Sequence, residues 1–89
     1  MITVHVRVSG RVQGVFYRAF TKERASELGI KGWVRNIPGG GVEAVLEGER
    51  QTVGELLKLM KAGPAGAMVL GMELSEIEGK GYEDFKIEY

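Results

Sequence analysis

Val8-Ser9-Gly10-Arg11-Val12-Gln13-Gly14-Val15-Phe16-Tyr17-Arg18 is the stretch on which the reading of this chain turns. Upstream of it, Val4, Val6 and Val8 alternate with Thr3, His5 and Arg7, the two-residue period of a strand with one buried face. Downstream, Tyr17 or Phe20, Arg24 or Ala25, and Leu28 recur at helical spacing, and Gly29 supplies a C-terminal stop. The stretch thus joins a strand to a helix, and it does so without a cap. No Ser, Thr, Asp or Asn lies between Gly10 and Arg18, so no such side chain can satisfy the first helical N–H groups. Gly10 and Gly14 permit tight turns instead, and Arg18 sits at the helix mouth. Free amides, the positive end of a helix dipole and a guanidinium fork together suit a tetrahedral oxyanion. The chemistry indicated is that of phosphate.

Working outward, a second strand is expected at about Gly32–Asn36, and Ile37-Pro38-Gly39-Gly40-Gly41 turns the chain into a third. There Val42, Ala44 and Leu46 alternate with Glu43 and Glu47, which with Glu49 read as a solvated face. Thr52 and Glu55 have the spacing of a capping box for a second helix. Its apolar stripe is Val53, Leu56, Leu57 and Met60, and Gly63-Pro64 ends it. Met68, Leu70, Met72 and Leu74 alternate as a fourth strand, and Phe85, Ile87 and Tyr89 make a short last one. The order β-α-β-β-α-β with a terminal addition predicts an α+β, ferredoxin-like sandwich. Both helices cover one face of an antiparallel sheet. No repeat or linker divides the chain, and residues 1–89 read as one domain.

Composition narrows the function classes. Eighty-nine residues suffice for one small core. With no cysteine and one histidine, thiolate catalysis and a zinc cage are not expected. No apolar run approaches a membrane span, and the start has no basic-then-apolar signal pattern, so a cytoplasmic location is the expectation. Net charge is zero, yet residues 1–36 hold seven cations against two acids, and the remainder holds five against ten. A small anionic ligand suits the first part better than a nucleic acid suits the whole. An RNA-binding domain of this topology would also need exposed aromatics on two central strands, and the first strand offers His5 and Arg7.

Arg18 can hold two phosphate oxygens at once with its planar fork. Asn36 can hold a water through one acceptor and two donor hydrogens, provided the sheet brings it beside the glycine loop. His5, Arg7, Arg11, Arg35 and Trp33 read as ordinary surface or packing residues.

The segment from Val8 to Arg18 resembles the first signature of the acylphosphatase family. Gly32-Trp33-Val34-Arg35-Asn36, followed by Gly40, Val42 and Gly48, resembles the second. Gly63-Pro64 and the ending Phe85-Lys86-Ile87-Glu88-Tyr89 are similar to the family too, so the likeness spans nearly the whole chain. Two departures are Tyr17, where the family more often has Phe, and Pro64-Ala65-Gly66, less proline-rich than many relatives.

The resemblance implies hydrolysis of carboxyl–phosphate anhydrides, R–CO–O–PO₃²⁻, without metal or organic cofactor. By position, it implies that Arg18 binds phosphate, that Asn36 orients water, and that the loop Gln13, Gly14, Val15, Phe16, Tyr17 and Arg18 cradles the substrate. Inorganic phosphate would then be a product and competitive inhibitor of a monomeric enzyme with no nucleic-acid or membrane partner. A carboxylate leaving group needs no general acid, and a loose phosphoryl transfer asks little of a base. Loose selectivity for the acyl group is expected, and a carboxylate on Tyr89 would pair with Arg18. The alternative is a non-catalytic anion-binding module, since domains of this kind also occur within larger carbamoyl-transfer enzymes.

Overall fold

Val6, Val8, Val34, Val42, Ala44 and Leu46 are fully buried, and their places in the sheet fix everything that matters for the site. The computed structural model covers Met1–Tyr89. It runs β1 (Ile2–Arg11), α1 (Tyr17–Glu27), β2 (Lys31–Asn36), β3 (Val42–Gly48), α2 (Arg50–Ala62), β4 (Met68–Ile77) and β5 (Phe85–Ile87). The five strands form one sheet in the order β4-β1-β3-β2-β5. All neighbours are antiparallel except β2 and β5, which pair in parallel. This is the expected ferredoxin-like α+β sandwich, with the short last strand joining the β2 edge.

The register carries the argument. Val8 of β1 and Asn36 of β2 both pair with Val42 of β3, so the three stand in one row across the sheet. Directly paired residues in a ladder share a face. Val8 and Val42 face the buried, helix-covered side, and Asn36, two residues beyond the core residue Val34, therefore faces it too. Since β1 and β2 each run against β3, they run the same way, and their C-terminal ends meet at one edge.

The helices close that side. Tyr17, Thr21 and Ala25 form the buried stripe of α1, and Val53, Leu56 and Met60 that of α2. Thr21 satisfies its hydroxyl within its own helix by donating to the Tyr17 carbonyl at 2.9 Å. The Tyr17 hydroxyl finds its partner across the helix pair, donating to the Met60 carbonyl at 2.7 Å in the last turn of α2. Burial pushes the Tyr17 phenol well above its ordinary range, so it stays a donor. Gly29, at φ 71°, ends α1 as expected: the Gly29 amide bonds the Ser26 carbonyl and the Ile30 amide that of Ala25.

Three expectations change. Helix α2 begins at Arg50, two residues before Thr52, with Glu49 in the extended N-cap position and no side-chain cap. The Thr52 hydroxyl, freed from a capping box, donates to the Glu49 carbonyl at 3.0 Å. In β4, a register shift opposite Ser9 and Gly10 skips Leu70 in the pairing, which leaves it exposed. The alternation Met68, Leu70, Met72, Leu74 is therefore broken.

The third change concerns Glu43 and Glu47, which are buried, while Glu49 is exposed. They stand on the central strand β3 on the face away from the helices, where the segment after β4 folds over Glu47 and the side chains of His5 and Arg35 meet Glu43. Glu47 accepts from the Thr3 hydroxyl at 2.7 Å and from the backbone amides of Lys80 and Tyr82 at 3.0 and 3.1 Å. Those bonds, the one from Thr3 foremost, hold its carboxyl below the usual range. Burial of Glu43 works the other way. Hydrogen bonds from His5 and Arg35 outweigh that effect and leave its carboxyl lowered as well.

A carboxyl lowered in the fold contributes stability above its unfolded pKa and loses it as pH falls through the folded one. Glu47→Gln is therefore expected to lower the urea midpoint at neutral pH, and the gap from the parent should close below about pH 4. Parallel stability curves across the whole acid range would contradict this role for Glu47.

Candidate active site

The strand β1 leaves the sheet at Arg11, and the chain needs a sharp turn to begin α1 on the helix side. Gly10 permits the first part at φ 119°, where a Cβ would lie 2.2 Å from the Met68 carbonyl oxygen; only glycine fits. Phe16 makes the last turn into the helix in the left-handed conformation, at φ 62°, and no side chain caps α1. The first helical bond runs from the Phe20 amide to the Phe16 carbonyl at 3.0 Å. The amides of residues 14–19 donate to no carbonyl or side chain of the protein. They form a fan of free donors at the positive end of the helix, suited to an anion.

A cavity of about 360 Å³ opens at this point, within the range of small-molecule sites. Gly14, Phe16, Tyr17 and Arg18 line it from the loop and helix, and Asn36 lines it from the end of β2. The sheet thus brings Arg18 and Asn36 to one cavity, the condition on which Asn36 depends for interest. Arg18 takes part in none of the five ion pairs of the protein, leaving its fork free. The carboxamide oxygen of Asn36 is buried and has no hydrogen-bond partner. A buried acceptor left unpaired costs about 1–3 kcal/mol.

The side chains of two loop residues do something else. Val15 packs against the edge of the core and does not line the cavity. Gln13 turns its side chain away from the cradle and donates through Nε2 to the carbonyls of Ile37 at 2.9 Å and Gly41 at 2.7 Å. It ties the loop after β1 to the turn that follows Asn36. The ion pair expected between a Tyr89 carboxylate and Arg18 is absent; the Tyr89 ring contacts the arginine instead, with Arg18 Cζ 5.0 Å from the ring centroid. His5, Arg35 and Trp33 lie on the opposite face of the sheet, where Arg35 stacks on Trp33 and both His5 and Arg35 hold Glu43. The Tyr89 ring is the site residue that sequence reasoning missed, because only its carboxylate was expected at the arginine.

The acylphosphatase sequence profile matches residues 4–87. The chain belongs to the acylphosphatase family. An acylphosphatase of Methanothrix thermoacetophila is 70% identical over 88 residues, covering 99% of this chain and 98% of that one. The crystal structure of an acylphosphatase from Bacillus subtilis superposes over 100% of both chains with a TM-score of 0.97 at 31% identity. Part of full-length HypF, solved in a phosphate- and nucleotide-bound form, is similar at 27% identity with a TM-score of 0.89. That likeness takes in 99% of this chain and 12% of HypF. No helix of this acylphosphatase-family chain is long and apolar enough to cross a membrane.

The Gln13 tie has a measurable consequence. Gln13→Leu removes both of its bonds, so the Ile37 amide, which bonds the Gly41 carbonyl at 3.0 Å, should exchange with solvent about tenfold faster. Unchanged protection at Ile37 by hydrogen-exchange NMR would mean the turn holds its shape without Gln13.

Proposed function

We propose that this chain hydrolyses acyl phosphates to a carboxylate and inorganic phosphate, with the reaction carried by Arg18, Asn36 and the free amides of the 14–19 loop. The observation that supports this best is the meeting of the Asn36 side chain and an arginine free of ion pairs on one cavity. The phosphoryl oxygens sit on the Arg18 fork and the loop amides, which neutralise charge as the transition state spreads it. The Asn36 carboxamide holds a water in line with the bond to be cut. The water oxygen attacks phosphorus, the P–O bond to the acyl group breaks, and its electron pair leaves on the carboxylate. A phosphoryl oxygen takes the proton from the attacking water. No side chain in the cavity has to act as acid or base, because the leaving carboxylate is a weak base.

In this reading inorganic phosphate competes for the same cradle, the enzyme works as a monomer in the cytoplasm, and chelators leave it active. The likeness to a region of HypF favours a second reading, in which the cradle binds an anion without turning it over. Steady-state hydrolysis of acetyl phosphate separates the two, since a pure binding module retains phosphate affinity and shows no turnover.

The two side chains should fail differently. Arg18→Ala is expected to lower kcat/KM about 10²-fold and to weaken inhibition by phosphate, because the fork binds ground state and transition state alike. Asn36→Ala should lower kcat about 10²-fold and leave the phosphate inhibition constant within about twofold, because its carboxamide holds the water and not the phosphate. Full turnover by Asn36→Ala would remove Asn36 from the mechanism, and unaltered phosphate inhibition in Arg18→Ala would remove Arg18 from the cradle.

A further inference from the structure

The two edges of the sheet differ. β5 is three residues long and carries Lys86, the short and charged form that keeps an edge from pairing. β4 is ten residues long, pairs only with β1, and contains no Lys and no Pro. From Gly71 to Ile77 its register with β1 is unbroken, so the outward N–H and C=O groups of this stretch form a regular row with no strand to receive them. Met72, Leu74 and Glu76 pair with the buried residues Val8, Val6 and Val4 and therefore face the helices. Leu74 is nevertheless 52% exposed. It lines a groove left between α2 and β4, with Leu57 across from it. One end of the groove, about 420 Å³ beside Met72, holds Lys58 and Lys61, and neither lysine takes part in an ion pair. The other end, about 300 Å³, is apolar at Ile2, Val4 and Val53 and borders Glu76, which meets Arg50 at 3.6 Å.

We propose that β4 is the seam of a two-fold dimer, in which a second copy of this chain lays its own β4 antiparallel to the first with Leu74 opposite Leu74. The strand itself selects that register. Gly71 then stands opposite Ile77, Met72 opposite Glu76 and Glu73 opposite Ser75, each twice by symmetry. No two like charges face each other, and the glycine leaves room for the isoleucine. Glu76 of the second copy lands beside Met72, at the end of the groove where Lys58 and Lys61 have no partner. Met72 of the second copy lands at the apolar end, beside Ile2 and Val53. Centring the pair on Glu73 would set two carboxylates face to face, and centring it on Ser75 would set each Leu74 against a carboxylate. Centring it on Met72 would draw in Leu70, which the register shift leaves out of the ladder. A seven-residue seam is small for a stable interface, so pairing is expected at about 0.1–1 mM protein. No residue of β4 lines the cavity that holds Arg18 and Asn36, so each chain works singly whether or not it is paired.

Sedimentation equilibrium tests this with the parent protein, Leu74→Lys, Glu76→Lys, and Glu76→Lys combined with Lys58→Glu and Lys61→Glu. Between about 10 µM and about 1 mM the parent mass should rise from 9.7 kDa toward twice that value and no further. Leu74→Lys sets two ammonium groups against each other at the centre of the seam and should stay at 9.7 kDa. Position 74 is half in solvent, so a melting temperature equal to the parent's in dilute solution is expected, and Glu76→Lys carries the test if that variant does not fold. Glu76→Lys should weaken association about tenfold, and the combined reversal should restore it. A parent that stays at 9.7 kDa throughout overturns the proposal, and its cosedimentation with vesicles of anionic lipid would assign the groove to a lipid surface instead. A dimer that persists in Leu74→Lys places the seam elsewhere. Undiminished association in Glu76→Lys, or no rescue by the combined reversal, overturns the register, and growth beyond two copies overturns the closed pair.

Discussion

Two strands running the same way, with a third running against both between them, are the constraint from which the site follows. Val42 stands between Val8 and Asn36, so the backbones of Val8 and Asn36 lie two strand spacings apart, about 10 Å. The helix that leaves β1 must cross back over the sheet to feed β2, and its N-terminus therefore starts above the edge where β2 ends. An uncapped helix start and a side chain at the end of a parallel strand meet there by topology. Burial of Val8, Val34 and Val42 holds the register, because a one-residue slip would turn Asn36 to the opposite face.

The loop needs more than topology, since free donors at a helix start are costly unless something aims them. Three devices hold the loop. Gly10 passes its backbone where no side chain fits, Phe16 accepts a strained left-handed turn, and Gln13 fastens the loop to the turn after Asn36. The last of these links the anion cradle to the proposed water-holding residue through one carboxamide. The opposite face of the sheet is independent of this. There Glu43 and Glu47 are satisfied by neighbouring strands and by the segment around Lys80 and Tyr82, and their charges stabilise the fold in the pH range where they are ionised.

Much of the fold was legible in the sequence because the valines of β1, the stripe of α2 and the glycines at 29 and 63 each report a local preference. The missing cap before Tyr17 was legible for the same reason, as an absence of residue types. What was not legible depends on partners far along the chain. Glu43 and Glu47 alternate like solvent-facing residues, and only distant partners reveal their burial: His5 and Arg35 at Glu43, and the segment near Tyr82 at Glu47. The broken alternation of β4 arises from its pairing with Ser9 and Gly10, and Thr52 lost its capping role to a helix that starts earlier. Gln13 reads as part of the loop, and the hydrogen bonds of its side chain to Ile37 and Gly41, which span the distance between two motifs, have no local signal. Tyr17 is a case where the residue itself announced a need: its added hydroxyl required a partner, and α2 provides it in the Met60 carbonyl.

The central claim is that a water held at Asn36 attacks phosphorus while Arg18 and the loop amides hold the phosphoryl oxygens. Single-turnover hydrolysis of acetyl phosphate in ¹⁸O-labelled water tests it most directly. Label in the inorganic phosphate, with none in the acetate, is the expected result; label in the acetate would place the attack on the carbonyl carbon and contradict the account.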